Sequence, residues 1–150
     1  MTSCANVWEQ PRPEEAAAVR RPTILIIDDD DVLSEVLSRR LEQQGFATLV
    51  AFSGQSGLAR ARAERPDLIL LDLRLPDADG FSICAQLADA PETCTAAVIV
   101  LSGLGQPDVP RRSRAAGCRY FVRKPFDPNA LLILIRQAIR ETAAWDECDG

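Results

Sequence analysis

The chain has 150 residues, 47% of them hydrophobic and 26% charged, which fits one ordinary soluble domain with a real core. Its net charge of −5, with no long Lys/Arg run, argues against a nucleic-acid backbone as a direct partner. The absence of histidine removes His-based acid–base chemistry, His metal ligands and any phosphohistidine on this chain.

Residues 1–22 are rich in Pro, Glu and Ala, end in "VRRP" and lack a strand pattern, so they read as a flexible or weakly helical extension. They contain no apolar signal-peptide core, and no apolar run in the chain approaches the ~18 residues of a membrane span. A cytoplasmic location and no membrane partner are expected. The five cysteines, Cys4, Cys84, Cys94, Cys118 and Cys148, are odd in number and lack CxxC spacing, consistent with reduced thiols.

The folded domain is expected over residues 23–142, followed by a short tail at 143–150. Its first strand, "TILII", runs directly into "DDDD" at 28–31. Two unit charges about 4 Å apart repel by roughly 4 kcal/mol at an effective dielectric near 20. That much negative charge at one point calls for a cation or a helix N-terminus. The next segment, Asp31 to Gln44, has helical spacing, with Val32, Leu33, Val36, Leu37 and Leu41 assigned to one face and Gly45 as a left-handed stop. Asp30 or Asp31 can cap this helix, worth about 0.5–2 kcal/mol. Two carboxylates remain without a structural task.

Further strand-like runs, "FATLVA", "DLILLD", "AVIVLS" and "YFV", alternate with helix-like segments, giving five strands and five helices. The continuous apolarity of "LILL" and "VIVL" marks strands covered on both faces, hence a doubly wound α/β domain with a parallel sheet. Ligands in such sheets bind beyond the carboxyl ends of the strands. Those ends carry Asp28 and Asp29, Asp72, Ser102 and Lys124. Three carboxylates, a hydroxyl and an ammonium are the parts of a divalent-cation and phosphoryl site.

Over about residues 23–142 the chain resembles the receiver domain of bacterial two-component response regulators, through "IIDD", "LLDLRLPDADG", "VIVLSG" and "RKPF" in order. The resemblance implies a flavodoxin-like (βα)5 fold with a five-stranded sheet in the order 2-1-3-4-5. It implies Asp72 as phosphoacceptor, with Asp28, Asp29, Asp72 and the Arg74 backbone carbonyl holding Mg²⁺. Lys124 would contact a phosphoryl oxygen and restrain the site's charge, and a cis bond would join it to Pro125. Ser102 and Phe121 would form the switch. Phe121 stands where the family usually has Tyr or Phe, and it cannot donate a hydroxyl hydrogen bond. Neighbouring Tyr120 falls on the opposite face of its strand. Leu104, two residues beyond Ser102, and Arg74 correspond to family positions that tune the lifetime of the phosphorylated state.

The implied partner is a sensor histidine kinase or phosphotransfer protein, and only eight or so residues follow the last helix, as in a stand-alone, chemotaxis-regulator-like receiver. In that helix Leu131, Leu134, Ile135 and Ala138 face the core, leaving Leu132 and Ile133 for a homodimer or partner contact, or for cover by the N-terminal extension with Trp8 or Trp145. Arg111, Arg112 and Arg114 form either a basic docking face or an ordinary solvated one. Two other functions compete with the receiver reading. One is a haloacid-dehalogenase-like phosphatase with Asp28 as nucleophile and Asp30 as acid/base, against which "DLRLPDADG" would be unexplained. The other is a receiver-like binding module that never takes phosphate.

Overall fold

A computed structural model of the chain describes residues 21–103 and 107–149, with side chains described through residue 142. The expected N-terminal extension, apart from Arg21 and Pro22, lies outside the described residues, as do Leu104 and the side chain of Trp145. The elements alternate strictly along the chain: β1 (Thr23–Ile27), α1 (Asp31–Gln43), β2 (Ala47–Ala51), α2 (Gly54–Glu64), β3 (Leu68–Asp72), α3 (Gly80–Asp89), β4 (Ala97–Ser102), α4 (Val109–Ala115), β5 (Tyr120–Arg123) and α5 (Pro128–Asp149). α5 therefore continues as helix through residues 143–149, where a tail was expected.

All pairings in the sheet are parallel, and the order is β2-β1-β3-β4-β5. Side chains alternate across a strand, so each apolar run feeds two cores. Leu25, Ile27, Ile69, Leu71, Val98 and Val100 pack with Leu58 and Ala61 of α2, Ile83 and Leu87 of α3 and Val109 of α4. Ile24, Ile26, Leu68, Leu70, Ile99 and Leu101 pack with Leu37 and Leu41 of α1 and Leu131, Ile135 and Ala138 of α5. Both faces are thus covered, which is why the strands read as unbroken rather than alternating apolar runs.

α1 begins as its sequence requires. Asp30 is the N-cap, and its Oδ1 accepts the Leu33 N–H at 3.0 Å. It ends before Gly45, whose φ of +98° only glycine adopts freely. The assignment of Val32 and Val36 to the core face is corrected by the structure: they are 68% and 56% exposed, and the buried stripe is Ser34, Leu37 and Leu41. At about 100° per residue, Val32 and Val36 lie far around the helix from Leu37 and Leu41. In α5, Leu132 and Leu134 are both partly buried against the second core, so Leu132 is not left off that face as expected, whereas Ile133 is 66% exposed. Among the described residues no helix is long and apolar enough to cross a membrane.

Candidate functional site

β1 lies between β2 and β3, so the chain leaves β1 toward one edge of the sheet and later returns to its other side at β3. The carboxyl ends of β1 and β3 therefore border the point where the strand order reverses, the place such sheets open a crevice. Asp28 and Asp29 follow β1, and Asp72 is the last residue of β3. Carboxylate oxygens of the three lie within 4.8 Å of one another. Asp28 and Asp72 are buried, and Asp29 is exposed.

Lys124, immediately after β5, reaches across this crevice. Its Nζ lies 3.0 Å from Asp28 Oδ2 and 3.6 Å from Asp72 Oδ2. Asp28 Oδ1 accepts the Asp30 N–H at 3.0 Å, so both of its oxygens are engaged. Asp72 Oδ1 accepts the Arg74 N–H at 3.2 Å. Ser102 is fully buried at the end of β4, and its carbonyl accepts the Lys124 N–H at 2.8 Å, joining the ends of β4 and β5. The Lys124–Pro125 peptide is cis.

Phe121 packs against the first core, while Tyr120 turns to the opposite face and donates its hydroxyl to Glu141 at 2.8 Å. The structure thus brings Asp28, Asp29, Asp72 and Lys124 to one crevice, with Ser102 at the end of β4, next to β3, and Phe121 on β5 beyond it. Arg111, Arg112 and Arg114 are exposed on α4, and the Arg112 guanidinium stacks 4.1 Å from the Phe81 ring centroid. Cys84 and Cys118 are buried free thiols, both pushed up by burial, to about 12 and about 11.

The Asp72 carboxyl is pushed up from 3.8 to about 6. Burial is the main cause. The Asp28 charge adds to it, and the Arg74 N–H and Lys124 oppose it. Between about pH 4 and 6 the folded chain holds this proton more tightly than the unfolded chain does, so Asp72 makes the metal-free protein less stable as pH rises through that window. Denaturant unfolding should show this by comparison: Asp72→Asn should gain stability on its parent between pH 4 and 6 and hold that gain above pH 6. A pH-independent difference would contradict the raised proton affinity.

The donor set fits a hard divalent cation: three clustered carboxylates, two of them buried, with a single ammonium in contact. The Arg74 carbonyl belongs to the loop that follows Asp72, residues 73–79. That loop is closed by an antiparallel bridge between Arg74 and Asp79, and Asp79 caps α3 by accepting the Phe81 N–H. Gly80 is required at its end, since a Cβ there would stand 2.4 Å from Leu73 Cα. One participant was not foreseen from the sequence. Asp77, at the tip of the loop, accepts the Gly54 N–H at 2.7 Å and the Gln55 N–H at 3.0 Å from the start of α2.

An acidic crevice bridged by a lysine, at the switch point of a doubly wound sheet, has the parts that a divalent cation and a phosphoryl group require. Residues 24–136 match the response regulator receiver domain family, and the chain belongs to it. It is 39% identical over 121 residues to the DNA-binding dual master transcriptional regulator RpaA of Synechocystis sp., covering 81% of this chain and 50% of that protein. It is also 39% identical over 117 residues to the transcriptional regulatory protein CseB of Streptomyces coelicolor, covering 78% of this chain and 49% of that protein. The chain thus spans about half the length of these curated relatives.

Among solved structures, a CheY-like response regulator receiver domain protein from Methanospirillum hungatei superposes with a TM-score of 0.79 at 27% identity, covering 87% of this chain and all of the other. The receiver domain of the Francisella response regulator 1452 gives 0.75 at 27% identity, covering 81% and 99%. Family membership sets aside the phosphatase alternative. Asp30, which that alternative needed as acid/base, is occupied as the cap of α1.

Proposed function

We propose that this domain takes a phosphoryl group onto Asp72 from a phosphohistidine on a partner kinase or phosphotransfer protein, and that the modification alters the surface around Ser102, Phe121 and α4. The observation that carries this reading is the Asp28, Asp29 and Asp72 cluster, with oxygens within 4.8 Å and with Lys124 Nζ in contact with Asp28 and Asp72. The phosphohistidine lies outside the 150 residues of this chain, which contain no histidine.

Receiver domains bind Mg²⁺ through an acidic cluster, and here Asp28, Asp29, Asp72 and the Arg74 carbonyl would hold it. When bound, the ion supplies positive charge against the oxygens of a transferring phosphoryl group. An Asp72 carboxylate oxygen attacks the phosphorus, the phosphorus–nitrogen bond of the phosphohistidine breaks, and its electron pair stays on the departing imidazole. Lys124, already shared by Asp28 and Asp72, offers an ammonium to a phosphoryl oxygen. Hydrolysis by water later returns the carboxylate and releases phosphate, so the domain catalyses both its own phosphorylation and its own dephosphorylation.

Ser102 is assigned to reading the phosphoryl group rather than to making it. Its backbone contact with Lys124 ties any movement of the β4 end to β5, where Phe121 lies against the first core. A phosphoryl mimic with Mg²⁺ should therefore move amide resonances at Ser102, Phe121 and α4 and leave the outer face of α1 quiet. Ser102→Ala should weaken those distant shifts more than it weakens phosphorylation. Shifts confined to the acid crevice would defeat the switch half of the proposal.

A further inference from the structure

The loop that follows Asp72 is tied at both ends of its reach, and the two ties differ in kind. At its base are the Arg74–Asp79 bridge, the Gly80 N–H to Leu73 carbonyl bond at 3.3 Å and the Asp79 cap on α3. At its tip the only hydrogen bonds described are those of the Asp77 side chain, which spans 23 residues to take two N–H groups of α2's first turn. Those two amides, Gln55 first and then Gly54, hold the exposed Asp77 carboxyl below its ordinary value, so it is ionised at neutral pH. α2 does not depend on Asp77 alone for its start: Ser53 is its own N-cap, with Oγ accepting the Ser56 N–H at 3.2 Å. The approach of loop and helix is close as well as polar. A Cβ on Gly54 would stand 2.8 Å from Ala78 Cβ, so a side chain there would push the loop away.

From this arrangement we infer that Asp77 is a positioning residue for the metal site: its carboxylate clamps the loop tip to α2 and thereby holds the Arg74 carbonyl in place. The inference rests on the proposed Mg²⁺ role of that carbonyl. Without the clamp the loop keeps the Arg74–Asp79 bridge at its base and the packing of Leu75 and Ala78 on the first core but loses its polar tie to α2, and the freedom gained at the tip reaches the Arg74 carbonyl through the short stretch of chain between them. A carboxylate serving merely as a second helix cap would act on α2 instead, and removal of either cap would then have the same consequence.

The test compares Asp77→Ala with Ser53→Ala by Mg²⁺ titration, read as amide shifts of residues 72–75 and as the Mg²⁺-induced rise in thermal midpoint. Asp77→Ala should weaken Mg²⁺ binding roughly tenfold, the size expected for removing a group that orients a ligand. Ser53→Ala should leave the affinity at the parent's value. Asp77→Asn, which keeps one acceptor oxygen, should fall between and covers the case in which the alanine variant does not fold. Hydrogen exchange at Gly54 and Gln55 should quicken in the Asp77 variants. Parent-like Mg²⁺ affinity in both Asp77 variants, or an equal loss in Ser53→Ala, overturns the clamp. Absence of any Mg²⁺ response in the parent overturns the site reading itself, and the clamp falls with it.

Discussion

Incubation with Mg²⁺ and acetyl phosphate is expected to place one acyl phosphate on this protein, at Asp72, and Asp72→Asn is expected to abolish it while keeping the fold. Three carboxylates share the crevice, and their surroundings separate them. Asp28 is buried with Oδ1 on the Asp30 N–H and Oδ2 on Lys124 at 3.0 Å, so its lone pairs are directed into the protein. Asp29 is exposed and has no comparable orientation among the described contacts. Asp72 ends the central strand β3, has one oxygen oriented by the Arg74 N–H, and has the other only 3.6 Å from Lys124. It is held in place yet less fully engaged, as an attacking carboxylate must be. Because its carboxyl is pushed up to about 6, labelling in limiting Mg²⁺ should climb through about pH 6 and level off above it.

Chemical trapping of the acyl phosphate followed by peptide mapping would locate it. A label on Asp28 would reverse the assignment, and absence of any label would favour a phosphate-independent binding module. The variant carries a second, independent signature. A carboxyl moved from 3.8 to about 6 in a buried site costs the metal-free fold up to ~3 kcal/mol at neutral pH. Asp72→Asn should therefore raise the metal-free thermal midpoint even as it removes the chemistry.

The second large effect is expected at Lys124. Its ammonium is the only cation in contact with Asp28 and Asp72 among the described residues, and its side chain is 22% exposed. Lys124→Ala leaves two buried carboxylates facing each other. Removing one partner of a buried ion pair costs about 3–5 kcal/mol, a value reduced here because Asp72 can take up a proton. The sign of the pH dependence follows directly. Loss of Lys124 raises the Asp72 proton affinity further, so the variant's deficit should be small near pH 5 and largest near pH 8, where holding both carboxylates ionised is most unfavourable. At pH 8 a loss of about 2–3 kcal/mol would lower the thermal midpoint by roughly 10 °C.

Millimolar Mg²⁺ should recover much of that loss, since a ligand that binds only the folded state stabilises it by RT ln(1 + [L]/Kd). An equal deficit at pH 5 and pH 8, or one untouched by Mg²⁺, would show that Lys124 acts through packing rather than charge. Phosphorylation should slow as well, because the ammonium is assigned to a phosphoryl oxygen.

Much of this architecture was legible in the order of the residues. Apolar runs too continuous for a half-exposed sheet required helices on both faces, and the alternation Leu25, Ile27 against Ile24, Ile26 into two cores shows how one strand feeds both. Asp28, Asp29, Asp72, Ser102 and Lys124 each followed or ended such a run, and a parallel sheet brings all its carboxyl ends to one edge. Convergence was therefore a consequence of strand direction and needed no knowledge of distances. Asp30 as cap and Gly45 as stop were equally local, depending on backbone groups within a few residues.

What the sequence could not carry was anything set by contacts between elements. Val32 and Val36 match the apolar content of a core face, yet α1 turns Ser34, Leu37 and Leu41 to the sheet, because rotation about a helix axis is decided by the surface it packs on. The rise in the Asp72 carboxyl depends on how deeply the crevice buries it and how near Asp28 lies, and neither is written in the order of residues. Asp77 belongs to a turn-like "PDADG" in which an aspartate is unremarked, and its partners are backbone amides 23 and 22 residues earlier. Backbone donors carry no residue identity, so no pattern of side chains signals them. The sequence by itself determined the strands, their common direction and the edge where the chemistry gathers. Only the tertiary structure decided how deeply each carboxylate is buried, which of them has both oxygens engaged, and which distant backbone amides the loop beside them reaches.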